Sequence, residues 1–103
     1  MPDLARALQL LSAMDARLVA VGHGRDERSV AAAREFAAAW PHEVAVVVDW
    51  PSTAASWLRP ARKLTANHAD AWVIADTPEG WANVERRLRE TPNWDPMRTV
   101  LLR

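Results

Sequence analysis

The chain has no cysteine. Disulfides and thiolate-bound metals are therefore excluded, and nothing about redox compartment can be read from it. It also has no excess of either charge: 13 basic residues balance 13 acidic ones. A broad electrostatic attraction to nucleic acid or to an anionic membrane is thereby excluded. Lysine is nearly missing. Lys63 stands alone among arginines, and beside so much alanine this reads as base composition. No run approaches the ~20 apolar residues that a membrane helix needs. The first residues, Met1-Pro2-Asp3-Leu4-Ala5-Arg6, lack the basic segment and apolar core of an export signal. The chain as written is expected to be cytoplasmic.

What is present is a core. Half of the 103 residues are hydrophobic, enough for one compact domain over 1–103 and too many for disorder. The organisation follows from where the apolar runs stop. Residues 17–21 run into Gly22-His23-Gly24-Arg25-Asp26. Residues 44–48 run into Asp49-Trp50-Pro51-Ser52. Residues 71–75 run into Asp76-Thr77-Pro78-Glu79. A helix-like stretch follows each cluster, and 99–102 forms a last short strand. Before them, Leu4, Ala7, Leu8, Leu11 and Met14 share one face of a helix over 3–14.

Local signals refine the elements. Asp26 can cap a helix over 27–40, with Val30, Ala33, Ala37 and Trp40 as its buried stripe and Phe36 beside it. Pro41 ends that helix. Pro60 conflicts with a helix unless it falls in the first turn, where its missing amide has no partner to lose. Ser56 as cap, with a helix over 57–66, resolves this. Thr77-Pro78-Glu79 combines a cap, a proline at the first position and an acid near the positive helix end.

Strands separated by helices of this length pair in parallel, with right-handed crossovers. The expected product is a three-layer α/β/α sandwich with a four-stranded parallel sheet in the order 2-1-3-4. In such sheets ligands sit beyond the carboxyl ends of the strands. Candidate ligand-binding residues are therefore His23, Arg25, Asp49, Trp50, Ser52, Asp76, Thr77 and Glu79.

Each candidate has a plainer alternative. Asp49 and Asp76 could accept hydrogen bonds from the amino group of a solute, or simply cap their own turns. Trp50 and Trp57 could stack on a ligand, anchor a partner or cover the sheet edge, while Trp40, Trp72 and Trp81 fall on core faces. His23 lies at the ligand edge without a second histidine at helical spacing. His42 and His68 sit in solvated connections, so no metal site is expected. Gly22-His23-Gly24 opens like a dinucleotide fingerprint. The third glycine would fall at Glu27, however, which puts an acid where pyrophosphate should lie. A phosphorylatable receiver site would need an acidic pair where Gly22-His23 stand. Ser29, Ser52 and Ser56 have no adjacent histidine, so no nucleophile–base pair marks an enzyme. No cofactor is expected.

Taken in order, several segments resemble one lobe of the type I periplasmic solute-binding proteins, in the branch that serves amino-acid ABC transporters. Leu18-Val19-Ala20-Val21-Gly22 leads to an alanine-rich helix with Phe36 near its end. The strand from Glu43 to Val48, then Pro51 and Trp57, follows the second strand of that lobe. Ala69-Asp70-Ala71-Trp72-Val73-Ile74-Ala75 and Pro78-Glu79-Gly80 follow its third, and Asn93-Trp94-Asp95-Pro96 its close. The resemblance covers 17–98. It implies a Rossmann-like lobe and a non-catalytic module that binds an amino acid or small polar solute. The family pairs two such lobes around its solute and often places aromatics after the first and third strands. Here those loops hold His23/Arg25 and Asp76/Thr77. The other function considered is a protein-interaction or homo-oligomeric assembly module, carried by exposed Trp50 and Trp57 and an open edge at the fourth strand.

Overall fold

The computed structural model describes residues 2–102. Along the chain run α1 (Pro2–Ala13), β1 (Leu18–Gly24), α2 (Glu27–Ala39), β2 (Glu43–Trp50), α3 (Leu58–Thr65), β3 (Ala71–Ala75), α4 (Pro78–Arg89) and β4 (Thr99–Leu102). A single 3-10 turn, Pro96–Arg98, precedes β4. The strands form one parallel sheet in the order β2-β1-β3-β4. The sandwich and strand order expected from the sequence are those found.

Handedness explains the layers. The chain steps one way from β1 to β2 and the other way from β2 to β3 and β4. Right-handed crossovers then put α2 on one face and α3 and α4 on the other. Helix α1 joins α2 around Val19, Val21, Val73 and Val100. Helices α3 and α4 enclose Ala20, Val48, Trp72 and Ile74. The connections reverse direction between β1 and β3, and a crevice opens there at the carboxyl ends.

Several expected boundaries shift, each for a physical reason. Strand β1 runs on to Gly24 and β2 to Trp50, so Gly22-His23-Gly24 is strand rather than turn. Helix α3 begins at Leu58. Ser56 accepts a bond from the Leu58 amide at 3.3 Å, yet the cap position is Trp57, without a side-chain bond. Pro60 does fall in the first turn. The buried stripe of α2 is Ser29, Ala32, Ala33 and Phe36, ending on Trp40. Ala37 is exposed and Val30 half-buried. In a helix this rich in alanine, Arg34 and Glu35 decide which side faces water. A bulge sits between the Val19–Val44 and Ala20–Val46 pairs. It turns Val44 toward α1 and α2 while Val46, Val48 and Trp50 face α3.

The opposite end of the sheet is tied without metal or disulfide. The Asp70 carboxylate accepts the amides of Arg17 at 3.0 Å and Leu18 at 3.2 Å. Arg98 donates to the carbonyls of Asp70 and Met14. Among the described residues, no helix is long and apolar enough to cross a membrane.

Candidate functional site

Two helices start beside the crevice, and each is capped by its own chain. Asp26 accepts from the Ser29 amide at 3.1 Å to begin α2. Hydrogen bonding from Ser29, helped by the charge of Arg28, holds its carboxyl below the usual value against a small cost of burial. The Thr77 hydroxyl accepts from the Gly80 amide at 3.1 Å to begin α4, with Pro78 at the first position. Thr77-Pro78-Glu79 thus performs the start expected of it.

Between these helix ends lies Asp76. One carboxylate oxygen accepts the indole N–H of Trp50 at 2.7 Å, and the other accepts the Thr77 amide at 2.8 Å. The space around the pair is set by glycine. A Cβ on Gly22 would stand 2.6 Å from the Trp50 ring. A Cβ on Gly24 or on Gly80 would collide with the Asp76 carboxylate from either side. These are the only three glycines of the chain, and all of them make room for Trp50 and Asp76. None of them has positive φ, so close approach and not backbone freedom is what requires glycine here. Of the two glycines that open like a phosphate loop in the sequence, Gly22 instead seats the Trp50 indole and Gly24 the Asp76 carboxylate.

Trp50 is only 1% exposed, which corrects the expectation that it is an exposed anchor. Trp57 is half-buried against the same cluster. Trp40, Trp72 and Trp81 are buried, as their spacing predicts. Arg25 pairs with Asp49 at 3.1 Å across the β1 and β2 ends, with both side chains more than half exposed. His23 is half-buried, and its Nδ1 lies 2.6 Å from the Gly24 carbonyl. That carbonyl only accepts, so Nδ1 carries the proton. Ser52 and Glu79 stand exposed on the rim.

Three recesses share this rim. The central one, about 500 Å³, is lined by Arg25, Trp50, Ser52, Asp76, Thr77 and Glu79 among others. It brings together six of the eight candidates. Asp49 lines a neighbouring recess of about 450 Å³ on the β2 side, and His23 lines neither. A third, about 590 Å³, opens toward Asp3, Arg28 and Leu102. Asp26 and Asn83 belong to the central wall and are absent from the sequence-based set. Asn83 lies one helical turn beyond Glu79, so helical spacing from Glu79 could have found it. In the sequence Asp26 reads as a helix cap alone. Among the described residues, no group of three or more His, Asp or Glu side chains could hold a metal ion.

Chemically, the rim offers uncommitted acceptors on the α4 side and cations on the α3 side. Asp76 is already engaged on both oxygens. Its role in the geometry is to hold Trp50 as the floor between the two.

No protein-family model matches the chain, and no curated protein sequence does either. Solved structures do. A periplasmic binding protein from Burkholderia mallei superposes with a TM-score of 0.72 over 85% of this chain, at 14% identity. An extracellular ligand-binding receptor from Rhodopseudomonas palustris does so with 0.72 over 90%, at 16% identity. The chain spans 24% and 27% of their lengths. The fold is therefore that of one lobe of a periplasmic binding protein.

Proposed function

We propose that this chain is a non-catalytic solute-binding module whose ligand is an amino acid or a similar small polar zwitterion. The observation that carries this is the central recess. It lies at the switch point of a fold shared with ligand-binding receptors, and it gathers Arg25 with the carboxylates of Asp26 and Glu79. Glu79 and Asp26 would accept from an ammonium group. Arg25 and the Ser52 hydroxyl would hold a carboxylate through charge-assisted bonds. Asp76 positions the floor through Trp50, and each of its oxygens keeps a lone pair that can add a weaker contact to the same ammonium. One lobe offers half a cleft, so affinity is expected to be weak unless a second surface closes over the solute.

The test is thermal unfolding with a panel of amino acids and small carboxylates at millimolar concentration. A ligand at ~100 times its Kd adds about 2.7 kcal/mol, several degrees in a domain this size. A selective shift that Glu79→Gln abolishes supports the reading. No shift from any compound overturns it.

A second reading, assembly with other copies or a protein partner, loses the support of Trp50. It keeps one observation: β2 is an edge strand, and its Val47 is 53% exposed. Light scattering separates the two readings. A stable oligomer that Val47→Lys dissolves favours assembly.

A further inference from the structure

The chain as a whole is neutral, but its charge is not evenly spread. Residues 50–69 contain Arg59, Arg62 and Lys63 and no acidic residue at all. The rest of the chain carries the balancing excess of acid. Helix α3 lies within this stretch. Its partner across that face, α4, pairs two of its three arginines with nearby acids, Arg89 with Glu85 at 3.2 Å and Arg87 with Glu90 just past its end at 3.2 Å. Helix α3 has no such answer. Among the described residues, neither Arg59 nor Lys63 forms an ion pair. They stand four residues apart, one above the other on a helix, where like charges repel.

Both side chains line the same recess of about 450 Å³, between α3 and the β2 carboxyl end. Arg25 faces them from the β1 side, and the hydroxyl residues Thr53 and Ser56 complete a polar rim above an apolar wall. Asp49 alone offsets these cations, and it is bound to Arg25. A cavity with two unanswered cations, a third half-neutralised, and hydroxyl donors is built for negative oxygen.

We propose that this recess is an oxyanion site, taking a small molecule with at least two negative charges, a dicarboxylate or a phosphate ester. It stands beside the central recess and does not depend on the zwitterion reading. Arg59 and Lys63 supply the charge, Arg25 closes the site from across the sheet, and Asp49 weakens it by competing for Arg25.

The test is a proton–nitrogen NMR titration of the full chain with succinate and with inorganic phosphate, against sodium chloride at matched ionic strength. The expected result is a saturable shift confined to the amides of Arg25, Asp49, 52–59 and 61–63 and the Trp50 indole. The double variant Arg59→Gln/Lys63→Gln should weaken binding by about tenfold or more, since charge-assisted bonds are lost. Both positions are exposed, so the variant should fold, and an unchanged spectrum elsewhere verifies it. Asp49→Asn should tighten binding by freeing Arg25. Tighter succinate assigns a dicarboxylate, and tighter phosphate assigns a phosphate ester. Shifts that follow ionic strength alone, or that persist unweakened in the double variant, overturn the proposal. Loss of the amino-acid response in Glu79→Gln leaves this site untouched, so the two readings fail separately.

Discussion

The two faces of the sheet are filled by opposite means. Toward α1 and α2 the sheet presents Val19, Val21, Ala71, Val73 and Ala75, and two stacked rings, Phe36 and Trp40, 5.7 Å apart, supply the bulk. Toward α3 and α4 the sheet presents Trp50 and Trp72, met by Trp81 from α4. Indoles carry an N–H into the core and so need acceptors. Trp72 donates to the Leu64 carbonyl at 2.8 Å and Trp50 to Asp76. One face is thus sensitive to lost volume. The other is sensitive to added volume and to lost acceptors, and the candidate site is built on that second face.

Four measurements sharpen the contrast. Phe36→Ala should cost the most, about 3–5 kcal/mol in urea unfolding, because a fully buried ring leaves a cavity among short side chains. A smaller loss than that of Gly22→Ala would erase the proposed difference between the faces. Gly22→Ala should cost about 1–3 kcal/mol, since a single methyl group meets a seated indole that has little room to retreat. Its indole resonance should move as well.

Asp76→Ala should cost about 1.5–3 kcal/mol through the unpaired Trp50 N–H and Thr77 amide. It should also blur the central recess, so it is a poor probe of solute contact. Asp26→Ala should cost about 1 kcal/mol as a lost cap. Its pH dependence has a definite sign. The folded carboxyl is more acidic than the ordinary 3.8, so the contribution is present above that value. It fades as pH falls through the lower folded value. A difference between wild type and Asp26→Ala that is as large in acid as at neutral pH would contradict the capping bond.

Element by element, what could be read from the chain depended on how local its cause is. Thr77-Pro78-Glu79 is legible because a cap involves four adjacent residues. Strand β3 is legible because it is apolar throughout and bounded by Asp70 and Asp76. The α2 stripe was misphased because alanine is too small to declare a buried face. Trp50 was misplaced because its burial depends on Gly22, a neighbour only once β1 and β2 are paired at Gly22–Val48 and Gly24–Trp50. The glycines themselves misled. In sequence a glycine near a strand end suggests a turn, whereas here its missing side chain is occupied space for another residue. The recess that Arg59 and Lys63 share with Arg25 is not legible in the sequence, because it joins α3 to the end of β1.

The sequence by itself determined the alternation of strands and helices, the parallel pairing, the order 2-1-3-4 and the rim on which the loops gather. Each of these rests on short-range period, capping and the handedness of crossovers. Only the tertiary structure decided which rim groups are free. Asp76 is bonded to the Trp50 indole and the Thr77 amide, whereas among the described residues Glu79 on one side and Arg59 and Lys63 on the other form no ion pair. The reason is that a polar group's availability depends on what else reaches it, and those partners come from strands and helices far apart in the chain.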